Sequence, residues 1–162
     1  MASTQTSNDI KSTIEATVKS YLASFIDARA QNDPSIVNRN TTDDCTRSML
    51  PASLVGGQRE LSMDNVAYQA VFTEGLKTGG MHKNTISDLV IDVEARKAAV
   101  TAIAELVFAN GEELELDFSW FLHFNDDGSK IKKIVEFVDS DGFKSVKGRE
   151  GELSTEGHKK EE

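Results

Sequence analysis

A single cysteine, Cys45, stands in a chain of 162 residues. One thiol excludes an internal disulfide and a cysteine-based zinc cluster, and Cys45 reads instead as a small core residue. Histidine is also scarce. His82, His123 and His158 show no metal-ligand spacing, so no metal site is expected. The sequence contains no glycine-rich phosphate loop and no Gly-x-Ser-x-Gly elbow, and no cofactor is expected. No apolar run approaches the length of a membrane span. The opening "MASTQTSNDIK" lacks the charged-then-apolar layout of a secretory signal. These features predict a cytoplasmic protein that does not engage a membrane. Basic residues are outnumbered, 18 against 27 acidic, giving a formal charge of −9 and a pI near 4.8. Nucleic acid is therefore not an expected partner, because phosphate binding needs a basic face.

What is present suits an ordinary globular domain: 38% apolar and 28% charged residues in a chain long enough to bury a core. From Asn8 to Arg29 apolar residues recur at Ile10, Ile14, Val18, Leu22 and Phe25, with Tyr21 and Ile26 beside them. That spacing predicts a long amphipathic helix. Asp33 and Pro34 open a short second helix. "DCTRSML" reads as a short strand ending at Pro51. A third helix over 63–76 would turn Val66, Ala67, Ala70 and Val71 inward, with Tyr68 and Phe72 nearby. The second half has a two-residue rhythm. "MHKNTISDLVIDV", "AAVTAIAELVFAN", "EELELDFSWFLHF" and "KIKKIVEFV" read as a meander of strands, with Asn110-Gly111 as a hairpin turn. In the third of these, Leu114, Leu116, Phe118, Trp120, Leu122 and Phe124 point one way, and Glu113, Glu115, Asp117, Ser119 and His123 the other.

Helices first and strands last predict an α+β fold. Long antiparallel strands twist and coil, so the sheet should curve around the first helix as a cone-shaped α+β barrel whose mouth admits a ligand. The cone domain is expected over 8–146. Residues 1–7, and the polar stretch 147–162 with almost no apolar content, read as disordered. Phe118 and Trp120 would form both core and wall, a flat aromatic lining suited to a fused-ring molecule. Ala98, Ala102 and Ala104 leave room either for a ligand or for close helix packing.

The last strand holds a carboxylate among apolar residues. Glu136 shares a face with Ile134 and Val138, so it faces either the cone or an outer surface. Inside the cone it would lose hydration, and its pKa would rise toward working pH. His82, at the start of the first long strand, reads as a proton-transfer partner near the rim or as a solvated loop histidine. Glu60 lies in a loop that could reach the mouth.

"DGSKIKKIVEFVDS", "RNTTDDCTRSMLPASL", "NVAYQAVF" and "FSWFLHFNDDGSKI" together resemble the SnoaL-like branch of the nuclear-transport-factor-2-like superfamily. Within that branch the chain resembles small fungal isomerases of meroterpenoid and polyketide pathways, over about residues 10–146. The resemblance implies that Glu136 points into the cone and moves protons. It also matches Arg39 to an arginine that could bind a substrate oxygen, and places Asn65 and Tyr68 in a segment near the substrate. The expected function is a cofactor-free isomerase or cyclase acting on a hydrophobic polycyclic substrate, with Glu136, His82, Arg39 and Glu60 as candidate catalytic residues and Asn65, Tyr68, Phe118 and Trp120 as substrate contacts. Phe121, on the otherwise polar face of its strand, predicts a homodimer through the outer sheet, as does the resemblance. Two alternatives remain: a non-catalytic ligand-binding or dimerisation module, and an epoxide-hydrolase-like enzyme. The second would need a carboxylate–arginine–carboxylate set on neighbouring strands.

Overall fold

Thr6 sets the first helix. Its hydroxyl accepts from the Asp9 N–H, and the Asp9 carboxylate accepts in return from the Thr6 N–H, a reciprocal cap. Helix α1 (Ser7–Gln31) follows and ends at Asn32, whose φ of 49° turns the chain out of the helix. The structure, a computed structural model, describes residues 6–59 and 61–159. Asp33 then caps a 3-10 helix, Pro34–Asn38, by accepting from the Ser35 N–H. The remaining elements are β1 (Thr41–Leu50), a 3-10 turn (Ala52–Val55), α2 (Asn65–Leu76), β2 (Gly79–Asp92), β3 (Lys97–Phe108), β4 (Glu113–Phe124), β5 (Ile131–Val138) and α3 (Ser140–Lys159).

The five strands form one curved sheet in the order β1-β5-β4-β3-β2. β2 to β5 are the expected antiparallel meander, and Gly111 supplies the positive φ (86°) of the Asn110-Gly111 turn. β1 is the departure from a wholly antiparallel sheet. It pairs parallel with β5, placing Arg47 opposite Ile134 and Met49 opposite Glu136. β5 would otherwise present a row of unpaired backbone groups at the sheet edge. β1 covers it, running in the same direction as β5.

The α1 stripe lies in the concave face. Ile14, Val18, Tyr21, Leu22, Phe25 and Ala28 are buried in one cluster with Ala98, Val100 and Ala102 of β3, Trp120 and Leu122 of β4, and Ile131 and Ile134 of β5. Two of the small β3 residues, Ala98 and Ala102, thus serve close packing in this cluster. Thr17 ties the helix to the β4–β5 turn by donating to the Gly128 carbonyl at 2.9 Å.

Two elements differ from their sequence readings. In α2 the inward face carries Tyr68 and Phe72, whereas Val66 and Val71 are 79% and 52% exposed. The helix is capped by Asp64, which accepts from the Ala67 N–H, and its bulky aromatics win the interior because they bury more area than valine or alanine. The polar stretch read as a disordered tail is helical to Lys159. The few apolar groups of α3 fall on one side: Val146 is buried, and Phe143 and, from the polar stretch, Leu153 pack with it against Phe108, Leu116 and Val138. Asp139 caps α3 by accepting from the Asp141 N–H. Gly142 permits the docking, since a Cβ there would lie 2.2 Å from Leu116 Cδ2. No helix among the described residues is long and apolar enough to cross a membrane.

Candidate functional site

The open end of the cone is a cleft of about 200 Å³. Its floor comes from β4 and β5 (Leu116, Phe118, Trp120, Glu136), its sides from Phe25 of α1, Tyr68 and Phe72 of α2 and Met49 of β1, and its rim from Met81, Phe143, Val146 and Lys147. The walls are aromatic because the alternation of β4 sends every second residue inward. Phe118 and Trp120 lie stacked there, ring centres 4.8 Å apart and 8° from parallel. Phe25 stacks on the same indole at 6.4 Å.

Glu136 supplies the acid. In the β4–β5 register it sits opposite Trp120, and its Oε2 accepts from the indole N–H at 2.9 Å. Burial raises the pKa of its carboxyl above the ordinary range. The Trp120 hydrogen bond, and then the Arg47 charge, pull the other way without cancelling that effect. A carboxyl so placed can hold a proton nearer neutrality and exchange it with a bound molecule.

Behind Glu136 lies a second group of polar residues that sequence reasoning missed. Arg47 is 4% exposed. Its Nη2 donates to the Val37 carbonyl at 3.1 Å and to Asn38 Oδ1 at 2.6 Å, and its guanidinium carbon lies 3.9 Å from the centre of the Tyr68 ring, a cation–π contact. Tyr21 is fully buried beside it, with the guanidinium 5.9 Å from its ring centre. Burial pushes both phenols up, Tyr21 well above its ordinary value. Cys45, two residues before Arg47, is buried, and desolvation pushes its thiol up to about 11, an unreactive core position. The alternation of Cys45, Arg47 and Met49 was the available signal for an inward arginine.

The remaining candidates scatter. Tyr68, Phe118, Trp120 and Glu136 meet in the cleft. Arg39 does not: it pairs with Asp27 at 2.6 Å on the outer side of α1 and donates to the Ser20 carbonyl. The 3-10 helix puts it on that surface. His82 falls at the irregular pairing between Met81 and Lys83, its imidazole 4.0 Å from the Glu105 carboxylate, and it is absent from the cleft wall that its neighbour Met81 helps to form. Asn65 works as a staple at the start of α2, donating to the Thr42 carbonyl at 2.8 Å and accepting from the Thr41 hydroxyl at 3.2 Å. Glu60 lies outside the described residues. The strand neighbour of Glu136 is Trp120, so β4 does not supply the second carboxylate that an epoxide-hydrolase-like set would need.

No protein-family model matches the chain. It is 29% identical over 133 residues to the monooxygenase nsrS of Aspergillus novofumigatus, covering 80% of this chain and 83% of that protein. Among solved structures, the BvnE pinacolase from Penicillium brevicompactum superposes with a TM-score of 0.73 at 19% identity, over 93% of this chain and 99% of that one. PrhC from Penicillium brasilianum follows at 0.69 and 21% identity, over 88% and 92%. These likenesses are of fold: the chain shares with both structures the α+β architecture of a curved sheet wrapped around a long first helix.

Proposed function

We propose that this protein is an isomerase or cyclase of fungal secondary metabolism, acting by proton transfer on a polycyclic terpenoid or polyketide held in the cone, with Glu136 as the proton carrier. The observation that carries this reading is a carboxyl group in an aromatic cleft, its pKa raised by burial and its orientation fixed by the Trp120 N–H. Stacked Phe118 and Trp120 suit the flat face of a fused ring system. The walls would hold one conformer and keep water from the reacting carbon. The fold shared with a fungal pinacolase, a rearrangement enzyme by name, supports the same class of chemistry.

A second reading draws on the relative named a monooxygenase. There, Glu136 would take a proton from an activated CH₂ between aromatic rings. The carbanion would add molecular oxygen, and the carbon would become a carbonyl as the second oxygen atom leaves as water. Both readings begin with the same proton. Incubation with a panel of polycyclic enolisable ketones and anthrones under ¹⁸O₂ separates them. An isomer of unchanged mass supports the first reading, and one ¹⁸O per product supports the second. No conversion, with ligands that nevertheless bind, leaves a binding module.

The same proposal includes a cytoplasmic homodimer packed through the convex sheet face. Phe121 and Phe137 are exposed there on β4 and β5, and Ile103 on β3. An apolar group of that kind on an otherwise polar face suits a contact surface.

A further inference from the structure

Between Tyr21, Arg47 and Glu136 lies a small void of about 10 Å³, walled also by Met49, Tyr68 and Ile134. That volume matches roughly one water-sized sphere. The void shares Met49, Tyr68 and Glu136 with the main cleft, so an atom at the inner end of a ligand in the cleft would lie beside it. Beside the Glu136 carboxylate and Ser48, its polar walls hold donors that have no acceptor. Nε and Nη1 of Arg47 and the hydroxyl of Tyr21 are buried and have no hydrogen-bond partner. Buried donors in that condition are rare and costly. The arginine is also fixed in place, since Nη2 is held by Val37 and Asn38 while the guanidinium lies over Tyr68. Among the described residues it forms no ion pair within 4.0 Å. A positioned, desolvated cation with free N–H groups attracts an atom that carries or gains negative charge.

We propose that the Arg47–Tyr21 void is a subsite for one ligand oxygen that becomes anionic, as a ketone oxygen does when its neighbouring carbon loses a proton. The inference rests on the reading of Glu136 as proton carrier and divides the labour. Glu136 removes the proton from carbon, while Arg47 and Tyr21 hold the oxygen on which the charge collects. The ligand class is narrowed accordingly, to a polycycle with a ketone, enol or phenol oxygen at its leading end.

The probe is 2-naphthol, a fused-ring phenol whose anion stands in for an enolate and is read by its own absorbance and emission. It is titrated with pH while bound to the wild-type protein, Tyr21→Phe, Arg47→Met and Glu136→Gln. In the wild type the bound naphthol should ionise at a pH lower than in free solution, with an ionisation constant at least about tenfold larger, the usual effect of an opposite charge nearby. Tyr21→Phe should return about three- to tenfold of that gain, the worth of one hydrogen bond, and Arg47→Met should return all of it. If Arg47→Met fails to fold, Tyr21→Phe decides alone, because it deletes a single unbonded hydroxyl. Glu136→Gln should keep the shift or deepen it, since a nearby negative charge is gone. Ionisation as in free solution, failure of naphthol to bind the wild type, or a Tyr21→Phe titration identical to wild type would overturn the oxygen subsite. Turnover that survives Glu136→Gln, alongside a shift that Tyr21→Phe reduces, would remove the proton-carrier reading and leave the subsite standing.

Discussion

Replacing Glu136 with glutamine should change how stability depends on pH, and this can be measured without any substrate. Burial raises the carboxyl pKa in the folded protein above the 4.5 ordinary for glutamate. In the unfolded chain that ordinary value returns. The folded state therefore binds the proton more tightly. The stabilisation this provides is complete below the unfolded pKa and is lost as pH rises through the folded pKa. Glutamine has no proton to lose, so Glu136→Gln should gain on the wild type as pH rises from about 4.5, then level off above the folded pKa. Each unit by which the pKa is raised adds about 1.4 kcal/mol to the difference. In a chain of this length that is about 3–5 °C of melting temperature. Loss of the carboxylate from the Trp120 hydrogen bond shifts the whole curve by a constant, since the amide oxygen can accept the same N–H. The slope is therefore the diagnostic quantity. Thermal unfolding of both proteins by circular dichroism between pH 4 and pH 9 supplies it. A difference that stays flat, or shrinks as pH rises, would refute the reasoning, because it would mean that the carboxyl is solvated or held ionised by Arg47.

Three further outcomes follow from the same geometry. Tyr21→Phe removes a buried hydroxyl with no partner, so urea unfolding should show stability unchanged or raised by about 1–3 kcal/mol; a loss of that size would mean the hydroxyl is bonded. Trp120→Phe deletes the hydrogen bond that restrains Glu136, and should move the pH dependence seen in the Glu136 comparison to higher pH while costing stability through lost packing. Phe121→Glu should leave the fold intact, since that side chain is exposed, but should dissociate the expected dimer in sedimentation at tens of micromolar; a wild type that is already monomeric would dispose of the convex-face interface.

The parts of this molecule legible in its sequence are those governed by local periodicity. The α1 stripe, the Asn110-Gly111 turn and the alternation of β4 each fix a face from neighbouring residues alone, and they carry Phe118 and Trp120 into the cleft. Glu136 was readable for the same reason, as the one acid on the Ile134–Val138 face. Arg47 was harder, because its role depends on β1 pairing parallel with β5, a contact across more than eighty positions of chain. Arg39, the arginine preferred from resemblance, lies only eight positions away, but the intervening turn of chain sends it to Asp27 on the surface. α2 misled because its small apolar residues outnumber its aromatics, while packing area selects Tyr68 and Phe72. In α3 the polar composition of 147–162 concealed one apolar residue, Leu153, placed along the same helix face as Phe143 and Val146 to meet the same hydrophobic cluster.

The most direct test of Glu136 as the proton carrier follows a proton on carbon. 2-Tetralone, a fused-ring ketone with acidic C–H bonds, is incubated in D₂O with wild type and with Glu136→Gln, and loss of its α-proton signal is followed by NMR against a protein-free control. The wild type should accelerate exchange at the α-carbon. Glu136→Gln, still folded by circular dichroism, should lose about 10²–10⁴-fold of that acceleration, the ordinary contribution of one general acid–base group. Exchange in Glu136→Gln at the wild-type rate would contradict the assignment and place the proton chemistry elsewhere in the cleft.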